Sequence, residues 1–391
     1  MTDDAARAAL LRRQVAALLD NWAEAGWDRE RSGFHEKLDQ ALRPAPGTRR
    51  RLLTCARQLY LHCRGPAIAG RPPRRDLADA AFHYLRDRFQ DRRLGGFWFS
   101  VDLDGQPLDR RKDLYGHAFV LFALAHYYGC FGDPAALELA RATDAALHRH
   151  LALPAGWLAA SAEADWRKPE AALAQNPHMH LLEAYLALGD ADDDPLWRAR
   201  ADGMTALFTA RLFEAGHGVL GEFYGRDGAP HPETGGLVEP GHHFEWSWLL
   251  HIDAERRAAL PDPAAARLFG WALRHGVDAE RGGIYDQLDR SGRVLLDTKR
   301  IWPLCEGIKA YAARWRQTGD RAMRDDAVRW LDFLIAHYLR PDGKWLESLD
   351  RDLAPVLTEM PGTTPYHLLM TIAEALPILE PGRDDQKLLR S

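Results

Sequence analysis

Side chains that can move protons or hold hydroxyl groups recur along the chain at intervals of about 60 residues. They are Arg57, His117, Asn176, His180, His242, Glu245, Trp302, Glu306 and His367. Histidine titrates near neutral pH, so it can take a proton from a substrate and return it. Arginine can stabilise an oxyanion as its charge develops. These residue types at a regular spacing predict proton transfer on a small polar substrate.

A glycine-centred motif accounts for this spacing. A glycine, then aromatic or β-branched residues, then an acidic or polar turn occurs six times, as in GGFWFSVD and GGIYDQLD. The six glycines are Gly33, Gly96, Gly156, Gly218, Gly283 and Gly343, separated by 63, 60, 62, 65 and 60 residues. The polar residues named above follow their glycine by 19 to 27 positions. Self-similarity at a fixed period indicates a repeated supersecondary unit.

Two helices are predicted between successive glycines. One is apolar nearly all round, as in DLYGHAFVLFALAHYYG, which we expect to end at Gly129. The other is amphipathic, as in DPAALELARATDAALHRH, where Asp133 and Pro134 are typical of a helix start. The stretch FWFSVDLDGQPL adds a short hairpin with an Asp-Gly turn.

The alternation of helix types predicts the fold class. A helix that is apolar all round is buried, whereas an amphipathic helix faces water on one side. Six of each, joined head to tail, predict an all-α (α/α)6 barrel. This is a toroid of six inner and six outer helices with short β-hairpins at one rim, in one catalytic domain over residues 1–391. An open solenoid is the alternative, but solenoid repeats are typically ~20–45 residues long, shorter than these.

In a closed ring, residues at equal offsets lie at equal heights, so these polar side chains should converge at one mouth. At ~100° per residue, Asn176 and His180 lie about 40° apart, whereas His178 lies about 200° from His180 and should face elsewhere. One buried polar residue is usually a hydrogen-bonded core group. Six in phase are costly to bury unless they face a cavity or each other. The set therefore predicts a functional site.

The second repeat unit fits this pattern less closely than the others. His117 departs from the common offset by three residues. It therefore either binds substrate or only supports its neighbours, and Tyr115 and Asp113 are alternative contributors from the same helix.

Composition excludes several function classes. The net charge of -5 and the pI of about 6.4 give no basic footprint for nucleic acid. No apolar run approaches the ~18 residues of a membrane span. The start MTDDAARAALLRRQVAALL is acidic and then amphipathic, unlike a signal peptide, which favours a cytoplasmic location. The four cysteines are scattered and are expected to be reduced thiols.

We expect neither a metal nor a cofactor. His178 and His180 are two positions apart, so they do not share a helix face and cannot chelate together. Adjacent His242 and His243 diverge by about 100°. The phosphate-binding GxGxxG and GxxxxGK[ST] loops and the GxSxG elbow are absent from the sequence.

The substrate is expected to be a sugar without a phosphate group. Thirteen tryptophans and eleven tyrosines beside arginine, asparagine, histidine and glutamate suit a polyhydroxylated ring. His242 and His367, on opposite sides of a pocket, would suit proton abstraction next to a carbonyl. Glu245 and Glu306 could then orient the imidazoles, and Arg57 could stabilise an enediolate oxygen.

Five segments carry a family resemblance that covers nearly the whole chain. They are CARQLY (55–60), NPHMHLLEAYLAL (176–188), PGHHFEWSWLL (240–250), RIWPLCEGIKA (300–310) and PYHLL (365–369). In combination they resemble the N-acylglucosamine 2-epimerase superfamily. That resemblance implies an (α/α)6 barrel and a metal-free reaction at C1 and C2 of a reducing sugar through a cis-enediol(ate). It implies His242 and His367 as catalytic residues. The pocket residues that it implies are Arg57, Asn176, His180, Glu245, Trp302 and Glu306.

The substrate stays open between several sugars. The segment KDLYGHAF (112–119) is similar to bacterial members that act on mannose. This favours D-mannose/D-fructose isomerisation or D-mannose/D-glucose 2-epimerisation, with N-acylglucosamine 2-epimerisation as the alternative. An (α/α)6 glycoside hydrolase, which needs two carboxylates ~5–9.5 Å apart, and a non-catalytic interaction protein are alternatives from other classes. The expected partner is a monosaccharide, and a homodimer is compatible with the sequence.

Overall fold

Twelve α-helices dominate the computed structural model, which describes residues 2–170 and 173–381. They are α1 Thr2–Glu24, α2 Leu52–Ile68, α3 Arg75–Tyr84, α4 Leu114–Phe131, α5 Pro134–His150, α6 Gln175–Ala191, α7 Pro195–Leu207, α8 Pro240–Arg257, α9 Pro263–His275, α10 Ile301–Thr318, α11 Arg321–His337 and α12 Pro365–Leu379. Short helical turns at 85–89, 154–156 and 208–212 add to them.

The even-numbered helices are the buried ones, as the apolar patterns predict. In α4 nearly every side chain from Leu114 to Ala125 is buried, whereas α11 buries only Ala327, Leu331 and Leu334. Each buried helix packs against the next one, and α12 also packs against α2. From α3 onward, the odd-numbered helices pack on the outer side of the buried helix before them, and α1 packs on both α2 and α12. Two layers of helices result.

Aspartates begin four of the outer helices. The side chains of Asp133, Asp194, Asp262 and Asp320 each accept a hydrogen bond from the backbone N–H two positions on, which satisfies a donor left free by the helix start. The predicted start of α5 at Asp133 and Pro134 is confirmed. The predicted end of α4 at Gly129 is wrong: the helix continues to Phe131, and Gly132, at φ 67°, is the C-cap residue.

Strands of two or three residues lie between the helices. They are Lys37–Leu38, Arg49–Arg51, Ser100–Asp102, Pro107–Asp109, Lys112–Asp113, Ser161–Ala162, Leu173–Ala174, Phe213–Glu214, Val219–Leu220, Phe223–Tyr224, Leu237–Val238, Gln287–Asp289, Val294–Leu296, Lys299–Arg300, Leu339–Arg340, Lys344–Trp345, Ser348–Leu349, Pro355–Leu357 and Met360–Pro361. The predicted hairpin is present, because Ser100–Asp102 pairs with Pro107–Asp109.

Strand pairs also link each repeat unit to the next, which the sequence did not predict. The strand before each buried helix pairs with a strand of the following unit, as Arg49–Arg51 does with Ser100–Asp102. The last unit pairs with the first through Met360–Pro361 and Lys37–Leu38. These pairs hold the starts of the buried helices side by side.

The conformation of the motif glycine explains its recurrence. All six motif glycines have a positive φ, between 69° and 86°. Non-glycine residues rarely adopt this region. At Gly96 a Cβ atom would also lie 2.5 Å from the Trp166 ring and 2.7 Å from Nε2 of His117. The glycine therefore serves the turn between an outer helix and the following strand.

The sequence predicted no membrane span and four reduced cysteines. No helix in the described residues is both long and apolar enough to cross a membrane. Cys55, Cys63 and Cys305 are buried, Cys130 is half-buried, and all four are free thiols.

Candidate active site

The starts of the six buried helices surround a cavity of about 540 Å³, which we call the front cavity. Eight of the ten site residues predicted from the sequence line it. They are Arg57, Tyr115, Asn176, His180, His242, Glu245, Trp302 and His367. Glu306 lies directly behind His367 and contacts its imidazole, and His117 lies elsewhere.

The predicted set of site residues is therefore corrected at His117, which does not line the front cavity. Its Nε2 accepts a hydrogen bond from the Phe97 N–H, and its Nδ1 lies 2.6 Å from the Asp113 carbonyl oxygen. His178 makes the equivalent pair of contacts with the Leu158 N–H and the Ala174 carbonyl. These imidazoles tie the strand after a motif glycine to the start of a buried helix, which is a structural role.

The start of each helix explains which histidines face the cavity. His117 and His178 both lie four residues after the N-cap residue of their helix. His242 and His367 lie three residues after theirs. One residue turns a helix by ~100°, so the two pairs of histidines face different neighbours. Of the alternatives to His117, Tyr115 lines the cavity, and Asp113 caps α4 by accepting from the Gly116 N–H.

His242 lies among carboxylates. Its Nδ1 is 2.9 Å from Oε2 of Glu222 and 3.9 Å from Oε2 of Glu239. Burial alone would lower the pKa of this imidazole, but the two carboxylates outweigh burial and raise its pKa to about 9. Glu222 is itself fixed, since it accepts from Nε2 of Gln175 and from the Glu239 N–H. His242 is therefore an imidazolium at neutral pH.

His367 lies among cations and has the opposite shift. Its Nδ1 is 2.7 Å from Oε1 of Glu306, and its Nε2 is 3.4 Å from Nη1 of Arg57. Burial first, and then the charges of Arg57 and Lys309, lower its pKa well below the ordinary value. The Glu306 contact fixes the proton on Nδ1. Nε2 therefore carries the lone pair of the ring, faces Arg57 and is the basic atom of His367.

Lys309 forms the far end of this chain of contacts. Its Nζ lies 2.6 Å from Oε2 of Glu306 and 3.8 Å from the centre of the Trp248 ring, and its side chain is fully buried. Burial raises the pKa of Glu306 to about 7, and the ammonium of Lys309 opposes that rise. Lys309 thus favours the ionised Glu306 that orients His367.

Trp302 packs against both histidines. Its ring centre is 4.9 Å from that of His242 and 5.7 Å from that of His367. The ring can pack against one face of a sugar while an imidazole approaches from either side. Gly241 makes room for it, because a Cβ atom there would lie 2.5 Å from the indole.

Arg57 is held rigidly at the cavity wall. Its Nη2 donates to the Tyr115 hydroxyl at 3.0 Å, and its Nη1 donates to the Thr363 carbonyl at 3.1 Å. The guanidinium carbon lies 4.1 Å from the ring centre of Phe119 and 4.6 Å from that of Tyr366. Such a preorganised cation can stabilise an oxyanion at little reorganisation cost.

The remaining predicted residues form the floor of the cavity. Nδ1 of His180 lies 2.9 Å from Oε2 of Glu183, and burial lowers the pKa of His180 to about 4. Burial and the nearby charge of Glu306 raise the pKa of Glu245 well above its ordinary value. The buried Oδ1 of Asn176 has no hydrogen-bond partner among the described residues. These groups can exchange hydrogen bonds with substrate hydroxyls.

Two groups of donors in this floor are close enough to hold a metal ion. They are His180 with Glu183 and Glu245, and Glu245 with Glu306 and His367, each with ligand atoms within 4.8 Å of one another. In the second group, the Lys309 ammonium already lies against Glu306. A side-chain cation thus neutralises part of this carboxylate cluster.

Four charged residues of the cavity were not predicted from the sequence, because they lie at or next to the strands or the helix starts. They are Glu222, Glu239, Arg300 and Glu347. Glu222 and Glu347 both occupy the acidic turn of the glycine motif, four residues after Gly218 and Gly343. That shared position was the available signal. The expected partner of His242, Glu245, is also corrected, since Glu222 takes that role.

Comparisons with known proteins identify the family. The N-acylglucosamine 2-epimerase (GlcNAc 2-epimerase) family profile matches residues 7–371. The chain is 33% identical to a protein named mannose-6-phosphate isomerase from Rhizobium meliloti (strain 1021), over 92% of this chain and 93% of that protein. It is 26% identical to a cellobiose 2-epimerase of Bacteroides fragilis, over 90% and 92% of the two chains.

A solved structure shares the fold. A crystal structure of a D-mannose isomerase superposes with a TM-score of 0.85 at 23% identity, over 94% of this chain and 97% of that one. The family match over nearly the whole chain confirms the resemblance seen in the sequence. The chain belongs to the N-acylglucosamine 2-epimerase family, and it is an enzyme of the carbohydrate isomerase and epimerase class.

Proposed function

We propose that this enzyme interconverts reducing sugars at C1 and C2 through a cis-enediol(ate), with D-mannose as substrate and D-fructose or D-glucose as product. The observation that carries the proposal is a pair of imidazoles that both pack against Trp302, His242 beside carboxylates and His367 beside the Arg57 guanidinium. Removal of the C2 proton needs a base, whereas ring opening and protonation of the enediolate oxygen need an acid.

His367 is the base of the proposed reaction. Its Nε2 takes the proton from C2, the electrons of that C–H bond form the C1–C2 double bond, and the carbonyl oxygen becomes an enediolate oxygen. Arg57 reaches to within 3.4 Å of the same nitrogen, so its guanidinium can stabilise the new negative charge. The starts of six helices also contribute partial positive charge at this end.

His242 is the acid of the proposed reaction. As an imidazolium it can donate a proton to the ring oxygen when the sugar opens, or to the enediolate oxygen afterwards. If the proton from C2 returns to C1, the product is the ketose. If C2 receives a proton on its opposite face, the product is the 2-epimer.

Charge in the front cavity favours a sugar without a phosphate group, although one relative is named mannose-6-phosphate isomerase. Arg57 already donates to Tyr115 and Thr363. Arg300 is 2.9 Å from Oδ1 of Asp286 and 3.2 Å from Oε2 of Glu239. Arg57 and Arg300 are the two arginines among the described residues that line the front cavity, and several carboxylates line it with them. A phosphate dianion would meet arginines that are already paired, and it would lie close to the carboxylates of Glu222, Glu239 and Glu347.

Lys309 supports a reaction without a metal ion. Its ammonium neutralises the carboxylate cluster behind His367, so a metal there would have to displace a fully buried charge. A glycoside hydrolase is disfavoured for a related reason. The carboxylates nearest to His242 and His367 pair with those imidazoles, and a hydrolase mechanism gives the imidazoles no role.

The finer architecture is part of the proposal. Packing of α12 against α2, and pairing of Met360–Pro361 with Lys37–Leu38, support a closed (α/α)6 toroid of six inner and six outer helices. We propose a single catalytic domain over residues 1–391 that works in the cytoplasm. A homodimer stays a prediction, and light scattering on the purified enzyme tests it.

The proposed function is tested by proton NMR in D2O with D-mannose, in the presence of a chelator. Fructose with deuterium at C1 would establish an isomerase, and glucose with deuterium at C2 would establish an epimerase. Parallel samples hold N-acetylglucosamine, D-mannose 6-phosphate and an aryl glycoside. Turnover of the 6-phosphate in preference to mannose, or release of phenol, would contradict the proposal.

A further inference from the structure

A second cavity, of about 620 Å³, lies at the opposite ends of the buried helices. We call it the rear cavity; all six buried helices contribute to its wall. Glu183, which contacts His180 of the front cavity, lies at its inner end. Its volume is within the ~300–1,000 Å³ typical of small-molecule sites, and it is larger than the front cavity.

Aromatic rings form much of the wall of the rear cavity. Tyr60, Phe122, Trp248 and Trp315 line it, from four different helices. Trp248 is fixed by a hydrogen bond from its Nε1 to Oε1 of Glu374. Aromatic walls with a few placed polar groups are typical of ligand sites, and such rings pack against the C–H faces of sugars.

Five of the charged side chains that line the rear cavity form ion pairs within its wall. Nε of Arg256 donates to Oδ1 of Asp190 at 2.7 Å. Nε of Arg316 is 3.2 Å from Oε1 of Glu255, and its Nη1 pairs with Glu374. A charged ligand would therefore have to compete with existing ion pairs. The helix ends at this side also carry partial negative charge, which disfavours an anion.

Two donors in the same wall are unused. Nη1 of Arg256 and Nη2 of Arg316 are buried and have no hydrogen-bond partner among the described residues. Buried donors are rarely left in this state, so an acceptor is expected in the cavity. A neutral hydroxyl fits best, because its oxygen accepts from a guanidinium while its hydrogen donates to a neighbouring carboxylate.

We propose that the rear cavity is a second binding site, for a neutral sugar or polyol. The proposal concerns binding and does not rest on the reaction proposed for the front cavity. The ion pairs in the wall disfavour an ionic ligand, the aromatic rings accommodate the carbon skeleton, and the two unpaired guanidinium nitrogens donate to hydroxyl oxygens.

The test uses methyl α-D-mannopyranoside, whose locked C1 prevents ring opening and reaction. Ala373 lines the rear cavity, and Ala174 lines the front cavity. Ala373→Phe fills the first, and Ala174→Phe is the matched variant that fills the second. Saturation-transfer NMR measures binding of the glycoside to wild type, each single variant and the double variant. Turnover of D-mannose and thermal unfolding are measured for the same proteins.

We expect Ala174→Phe to retain saturation transfer, because the rear cavity stays open, and the double variant to lose it. Ala373→Phe should keep wild-type turnover. Loss of saturation transfer in the single variant Ala174→Phe would overturn the proposal. Full saturation transfer in the double variant would also overturn it. If Ala174→Phe does not fold, Thr363→Phe closes the front cavity from another element, and Leu186→Trp does the same for the rear.

Discussion

The two sides of the front cavity carry the same residue type in opposite electrostatic surroundings. His242 lies beside the carboxylates of Glu222 and Glu239, and its pKa is raised to about 9. His367 lies beside Arg57, with Lys309 behind Glu306, and its pKa is well below the ordinary value. The repeat places both imidazoles at the same height, but their neighbours decide which one is an acid and which one is a base.

These neighbours come from different kinds of element. The carboxylates beside His242 come from a rim turn and from the residue that begins α8. The cations near His367 are on the buried helices α2 and α10. A symmetrical ring thus acquires an asymmetrical site because a rim turn and a helix start supply one side, whereas buried helices supply the other.

Removing either imidazole should have the largest effect. We expect His367→Ala and His242→Ala each to lower kcat/KM by ~10² or more, because each removes a general acid or base. His367→Ala should also abolish deuterium uptake from D2O into the sugar. His178→Ala is the matched control on α6, since both hydrogen bonds of its imidazole are to backbone groups and it does not line the front cavity. Wild-type turnover in either site variant would contradict the mechanism.

Removing the Lys309 charge should have the next largest effect. Lys309→Met should raise the pKa of Glu306 and of His367 by about one unit, which reduces the active fraction about tenfold below that pKa. The acidic limb of the kcat/KM profile should therefore move to higher pH. Lys309→Arg should restore most of the profile. A uniform loss at every pH would instead indicate a purely structural lysine.

Removing one carboxylate beside His242 should move the other limb. The imidazolium is lost as pH rises through about 9, so kcat/KM should fall there. In Glu222→Gln the pKa of His242 falls, and we expect this limb to move to lower pH by about 1–2 units. Glu239→Gln should give a smaller shift, because Glu239 is 3.9 Å away instead of 2.9 Å. An unchanged alkaline limb in Glu222→Gln would show that His242 is not the acid.

The smallest effect on activity is expected at His117. His117→Ala should leave kcat/KM within about twofold, while the unpaired Phe97 N–H lowers the free energy of unfolding by about 1–3 kcal/mol. Urea unfolding and turnover, measured on the same sample, separate the two effects. A large loss of activity at unchanged stability would indicate that His117 does bind substrate.

The sequence predicted the buried and exposed helices and most of the cavity. The glycine period could not separate His117 from His242, because their offsets differ by only three residues and helix starts vary between units. Counted from the N-cap residue, Arg57, His180, Glu245 and Glu306 all lie six positions into their helices, which makes the shared face plain. The hydrophobic pattern of the sequence does not locate the N-cap residue of each helix to the exact position.

The carboxylates on the strand side were harder to predict. Glu222 reaches His242 only because Gln175 and the Glu239 N–H hold it there. These contacts depend on pairing between strands of neighbouring units, and the period of the sequence does not reveal that pairing. Their effect on pKa could not be predicted either, because it depends on distances between elements.

The protonation states of the two imidazoles at neutral pH test the central claim most directly. We would record long-range ¹H–¹⁵N spectra of the histidine rings at pH 7.5 and assign them by their loss in His242→Ala and His367→Ala. The account predicts that both nitrogens of His242 carry protons, whereas His367 is neutral with its proton on Nδ1. A neutral His242 or a charged His367 would contradict it.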